Sequence, residues 1–164
     1  MEPGAGRLWA PWRMPYIAAV QPPPGCVFCQ ARDGADDRAS LILRRGERAF
    51  LILNAYPYAP GHVMAVLNRH VGGFVEAQPD ELGEAMRLAQ RAVDALSAEY
   101  RAEGFNIGVN QGRVAGAGIA DHLHVHVVPR WNGDHNFFSV VGGTRVLPED
   151  LATTWERLRR HVGD

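Results

Sequence analysis

From Asp121 to Pro129 the chain reads Asp-His-Leu-His-Val-His-Val-Val-Pro, a strict alternation of histidine with an apolar residue. Successive side chains of a strand face opposite ways. The segment therefore reads as a strand with His122, His124 and His126 on one face and Leu123, Val125 and Val127 on the other, core-facing one. Seven histidines in 164 residues would fall into three at this spacing in roughly one shuffled chain in a hundred. The bland alternative is an exposed strand face that happens to be rich in histidine.

A metal centre using all three imidazoles meets a geometric obstacle. Residues i and i+4 on a straight strand stand about 13 Å apart, whereas two ligands of one zinc ion lie only about 3–4 Å apart. Neighbours at i and i+2 could share an ion, but at least one of the three must do something else. Without a metal, histidine transfers protons or attacks as a nucleophile. Phosphorus suits the second role, because a neutral imidazole attacks near pH 7 and leaves again readily. The glycine-rich stretch from Gly108 to Gly118 runs straight into the histidine strand, and its backbone amides could approach a phosphate closely. Alone, that stretch is as well explained by a plain turn.

The rest of the chain supplies a frame for this strand. Leu41-Ile42-Leu43 and Ala49 to Leu53 read as strands joined by Arg44-Arg45-Gly46-Glu47, and His62 to Leu67 as a third. Residues 79–102 read as a helix whose stripe is Leu82, Ala85, Met86, Ala89, Val93, Leu96 and Tyr100, with Pro79 at its first position. Phe105 to Val109 and His122 to Val128 follow as strands, and residues 148–162 as a second helix. This order favours an α+β fold, an antiparallel sheet with helices on one side. Residues 1–25, with Trp9, Trp12 and Tyr16, read as an extended arm ahead of one compact domain at 26–164. Net charge is −1 and charged residues make up 21%, so no strong field selects nucleic acid or a membrane surface. No apolar run approaches membrane-spanning length, no signal pattern opens the chain, and a cytoplasmic protein is expected.

Together these features resemble the histidine-triad (HIT) family of nucleotidyl hydrolases and transferases. The family pattern His-φ-His-φ-His-φ-φ, with φ apolar, is met from His122 to Val128. Asn54 stands where the family places an acid or asparagine on the ribose, and Pro60-Gly61-His62-Val63 matches its Pro-Gly-His-φ strand. The resemblance runs from about Cys26 to Trp131. Leu8-Trp9-Ala10-Pro11-Trp12-Arg13-Met14, the Cys26–Cys29 pair and Pro129-Arg130-Trp131-Asn132-Gly133-Asp134-His135-Asn136-Phe137 resemble bacterial members of the diadenosine tetraphosphate phosphorylase-like subgroup. The resemblance implies a five-stranded antiparallel sheet with two main helices and a homodimer joined across the 79–102 helix and the Phe105 strand. It also implies cleavage of dinucleoside polyphosphates or related nucleoside phosphates through a covalent nucleotidyl-histidine, with phosphate or water as acceptor.

Roles follow position by position. His124 is the implied nucleophile, and His126 stabilises the oxygens of the scissile phosphate. Gln111 matches a polar residue beside the phosphates, and Asn110 precedes it. Gly118 departs from the pattern, since many members carry glutamine there; the backbone at Gly118 and Ile119 is a possible substitute. Trp131 is read either as stacking on a base or as covering the core, and His62 either as packed or as supporting a catalyst. His161 reads as solvated, and His135 is assigned no role.

Cys26-Val27-Phe28-Cys29 has the spacing of half a zinc site. A redox pair is the rival, although such pairs sit at the start of a helix after a strand and here Pro22-Pro23-Pro24 precedes. Two unpaired cysteines are the bland reading. Family members with this pair recruit two histidines, which implies His70 and His122 as the remaining ligands of a structural Zn²⁺. Mg²⁺ is expected only as a companion of the substrate. Two other classes stay open: a zinc-stabilised nucleotide- or RNA-binding module without catalysis, and a metal-dependent hydrolase. Nucleoside phosphoramidate hydrolysis is the alternative within the enzyme class.

Overall fold

A computed structural model of the chain describes residues 25–134 and 147–163. The arm at 1–24 and the motif from His135 to Phe137 lie outside the described residues. Three helices and five strands follow in the order α1 (Val27–Asp33), β1 (Ile42–Arg45), β2 (Ala49–Leu53), β3 (Val63–Leu67), α2 (Pro79–Tyr100), β4 (Gly104–Gly108), β5 (His124–Arg130) and α3 (Leu151–Val162). The strands form one sheet in the order β1-β2-β3-β5-β4, and every neighbouring pair is antiparallel. The α+β expectation holds.

Each face of the sheet has its own apolar cluster. Leu51, Leu53, Val63, Ala65, Leu123, Val125 and Val127 meet Ala85, Leu88, Ala89, Ala92 and Leu96 of α2 in the larger core. Burial of these chains is the main force holding α2 and α3 to the sheet, at about 1.5–3 kcal/mol for each large side chain. The expected α2 stripe is mostly correct, but Met86 is 47% exposed. The helix stops at Tyr100 rather than 102 because Arg101 adopts a left-handed backbone, φ 52°. At its start Gln78 and Glu81 form a reciprocal cap, with the Gln78 N–H donating to Glu81 Oε2 at 2.8 Å, which satisfies donors the helix leaves free.

The opposite face carries Phe50, Ile52, Met64 and Val66 under Phe28 of α1. Helices on one side only was the expectation, and α1 overturns it. Seven residues long and preceded by a run of prolines, α1 shows too little periodicity to be read from sequence. The outer β3 position is set by pairing: Val66 lies opposite His124 and Met64 opposite His126. On the far side β4 is an edge strand, with Gly108 opposite His126. No helix among the described residues is long and apolar enough to cross a membrane.

Candidate functional site

The alternation in β5 places the even-numbered residues against the Phe28 side of the sheet. His122 is fully buried, and His124 and His126 are 5% and 8% exposed, so the histidine face is interior rather than a solvated edge. Phe28 lies 5.0 Å from the His124 ring and 5.4 Å from His122, centroid to centroid. The strand proper begins at His124, two residues later than the sequence suggests. His122 instead sits where the chain enters the sheet, with the Leu123 N–H donating to Val71 O at 2.7 Å.

His122 faces a cluster with Cys26, Cys29 and His70, whose four ligand atoms all lie within 4.8 Å of one another. Nδ1 of His122 is 3.2 Å from Cys26 Sγ, 3.6 Å from Cys29 Sγ and 3.3 Å from Nδ1 of His70; Cys29 Sγ is 3.5 Å from His70 Nδ1. Ligands around one tetrahedral zinc, with bonds of about 2.0–2.3 Å, stand roughly 3.3–3.8 Å apart. The donor set and its spacing therefore fit a zinc ion. The outer nitrogen of His122, Nε2, donates to Leu67 O at 2.7 Å, the kind of support that fixes a metal-binding imidazole in one tautomer. Among the described residues no other group of three or more such side chains gathers. Contrary to the sequence argument against a helical cysteine pair, Cys26 caps α1 and Cys29 lies in its first turn.

His124 is held differently. Its Nδ1 donates to the carbonyl of His122 at 2.7 Å, so the neutral ring keeps its lone pair on Nε2. Burial lowers its pKa, and the bond to the His122 carbonyl partly offsets that.

The ring of His126 is set by a chain of bonds. The backbone N–H of Tyr58 donates to Nδ1 of His62 at 3.1 Å, and the Asn54 amide nitrogen stands 3.3 Å from the same atom. Nδ1 of His62 must then be an acceptor, which leaves the proton on Nε2. That Nε2 lies 2.9 Å from Nδ1 of His126. By the same logic His126 accepts there and carries its own proton on Nε2. His126 Nε2 is buried and has no hydrogen-bond partner among the described residues, and buried polar atoms of this kind ordinarily have one. Burial, reinforced by His126 and His124, pushes the His62 pKa down to about 3. Burial and His124 push that of His126 down to about 4. Both rings are neutral at pH 7.

His62, which sequence left open, is thus the support of His126; the partner lies 64 residues away, a separation no local pattern reveals. Asn54 joins this network and also accepts from the Tyr56 N–H at 2.9 Å. Ile119 packs on the Phe28 cluster, and Gly118 beside it is exposed with open space around it. Gln111 accepts from the Phe74 N–H at 2.8 Å and lines a cavity of about 700 Å³ with His70, Gly72, Gly112 and Asp121. Asn110 is half-buried. Trp131 is not brought to the histidines: its indole N–H donates to Tyr100 O at 3.0 Å, at the end of the helix that covers the other face. His161 pairs with Glu99 at 2.7 Å rather than standing alone in solvent.

Comparison with known proteins agrees with this geometry. The family model described as HIT domain matches residues 37–133. An AP-4-A phosphorylase of Mycobacterium tuberculosis is 39% identical, with 92% of this chain and 85% of that protein covered. Among solved structures, a Zn-bound histidine triad family protein from Mycobacterium smegmatis superposes with a TM-score of 0.69 at 28% identity, covering 84% of this chain and 92% of the other. A hypothetical histidine triad nucleotide-binding protein from Sulfolobus tokodaii gives 0.66 at 26% identity, covering 83% and 91%.

Proposed function

The chain belongs to the HIT domain family, and on that premise we propose that it cleaves dinucleoside polyphosphates through a covalent nucleotidyl-histidine on His124. The observation that carries this reading is the pair of fixed tautomers: a lone pair on His124 Nε2 beside an unpartnered, buried N–H on His126. The relative named AP-4-A phosphorylase supports the substrate class.

The residues divide the work. His124 Nε2 attacks phosphorus; a P–N bond forms as the P–O bond to the rest of the substrate breaks, and that remainder leaves with the electron pair. His126 donates its Nε2–H to an oxygen that gains charge, an interaction worth about 100-fold or more in rate. His62, held by Asn54 and Tyr58, keeps the His126 proton on that nitrogen. Phosphate or water then attacks phosphorus, the P–N bond breaks, and the imidazole is restored. Cys26, Cys29, His70 and His122 are the residues to hold a structural zinc. When bound, zinc fixes the His122 ring, and with it the carbonyl on which His124 is oriented.

Chromatography of products from diadenosine tetraphosphate tests the reading. Attack at the outer phosphorus yields ATP and ADP when phosphate is the acceptor, and ATP and AMP when water is. Two molecules of ADP without added phosphate would contradict attack at that phosphorus.

The assembly we propose is a homodimer across β4 and α2. Among the described residues the outer edge of β4 is unpaired, Ile107 on it is 47% exposed, and so is Met86 of α2; bare edges and exposed large apolar groups are ordinarily covered. Sedimentation equilibrium at micromolar concentration should give twice the chain mass, and a monomer there contradicts the proposal.

A further inference from the structure

The histidine face is closed on one side and open on the other. Toward β3 and β2, the neighbours of His124 and His126 are Val66, Met64, Ile52 and Phe50, all buried beneath Phe28. Toward β4, the residue paired with His126 is Gly108, which is exposed. Directly opposed residues of an antiparallel pair share a face, so a side chain at 108 would stand on the histidine face next to His126.

Nothing among the described residues explains a glycine at this place. A Cβ built on Gly108 meets no atom within 4 Å, and the backbone there lies outside the left-handed region. Gly61 and Gly72 behave otherwise, since a Cβ on them would lie 2.6 Å from Leu96 Cδ2 and 2.7 Å from Ala120 O. Glycine weakens a strand, and one that no contact or dihedral requires often marks a place where a ligand or another backbone approaches closely. Two residues along the same face is Asn106, whose Oδ1 accepts from Arg130 Nη1 at 2.8 Å. The way out from His126 therefore crosses a bare backbone and reaches polar groups, Asn106 and the Arg130–Asp134 ion pair, while the other way is apolar and filled. A polyphosphate, with several charges, is costly to bury on the filled side.

We propose that Gly108 determines specificity by leaving open the lane over β4 that takes the part of the substrate beyond the reacting phosphorus, a polyphosphate tail, and afterwards the acceptor. This rests on the function proposed above. A side chain at 108 obstructs long substrates and spares those whose leaving group is small.

The test compares Gly108→Val and Gly108→Ala with the wild-type protein on diadenosine tetraphosphate and on adenosine 5′-phosphoramidate, whose leaving group is ammonia. The valine variant should melt no lower than wild type. Its kcat/KM should fall at least about thirtyfold for the tetraphosphate and less than about threefold for the phosphoramidate, with alanine in between. Equal losses on both substrates, or no loss on either, overturn the lane. So does a uniform loss accompanied by dissociation to monomers, which would make Gly108 an assembly residue. Calorimetric binding of diadenosine tetraphosphate and of AMP in a His124→Ala background reads the same contrast without turnover: valine should weaken only the former. A wild-type protein inert to both substrates yet showing that binding contrast contradicts the proposed chemistry and leaves the lane standing.

Discussion

His122 and His126 stand two residues either side of His124, and their ring nitrogens are engaged in opposite ways. His122 turns Nδ1 to two thiols and an imidazole and gives Nε2 to Leu67 O. His126 accepts at Nδ1 from His62 and leaves Nε2 buried without a partner among the described residues. One end of the row is fully satisfied within the chain, as a structural site is; the other holds a polar atom with no partner among the described residues. His124 bridges them, since its tautomer is set by the carbonyl of His122 while its free nitrogen works beside His126. On the proposed function, the same residue type at one spacing serves folding at one end and chemistry at the other, and what separates the two is the company brought by α1 and by the start of β3.

Substitutions should separate the ends sharply. His124→Ala deletes the nucleophile and should cost at least about a thousandfold in kcat with no loss of zinc. If the cavity admits it, imidazole should partly rescue His124→Gly. His126→Ala removes one donor and should cost about a hundredfold in kcat, again with melting temperature and metal content near wild type. At the other end the order reverses. Cys26→Ser should lower zinc content and melting temperature markedly, because a structural metal contributes folding free energy, while the kcat of the remaining folded protein falls only about tenfold or less. Metal analysis and differential scanning calorimetry on protein purified without chelator check this. A variant with full stability and no zinc would erase the distinction between the ends.

A gentler probe is pH. His62 and His126 have folded-state pKa values depressed to about 3 and about 4, below the usual 6.5 or so. Below pH 6.5 the unfolded chain takes up protons that these buried rings refuse, so stability falls as pH drops from there toward 4, by about 1 kcal/mol per pH unit for each ring. It is fully present above 6.5. Turnover of the folded protein should nevertheless persist below pH 6.5, since burial lowers the pKa of the nucleophile His124 as well and keeps its Nε2 unprotonated. A loss of kcat centred at or above pH 6.5 would mean that the nucleophile His124 titrates as an ordinary exposed imidazole, against the lowering that its burial causes.

Much of this contrast is legible in the sequence, and the remainder is not for identifiable reasons. The alternation alone places Leu123, Val125 and Val127 in the core opposite the histidines, because a period of two admits only that arrangement. The 13 Å argument rightly refuses a metal site built from all three rings. The cysteine pair was readable, but not the helix beneath it: α1 is short, and its stability comes from Phe28 packing on the sheet rather than from its own pattern. His62 could not be assigned, since its meaning depends on a partner across the sheet. Trp131 meets the same limit, since the partner of its indole N–H, Tyr100 O, is one that no local pattern reveals. Gly108 reads as one glycine among many until its pairing with His126 is known.

The central claim is that His124 becomes covalently attached to the nucleotide, and the stereochemical course at phosphorus tests it most directly. A substrate chiral at the scissile phosphorothioate would be turned over in isotopically labelled water or with labelled phosphate, and the configuration of the product determined. Attack by His124 and then by the acceptor are two in-line displacements, each inverting, so the account predicts net retention. Net inversion would mean that the acceptor displaces the leaving group directly, and would contradict it.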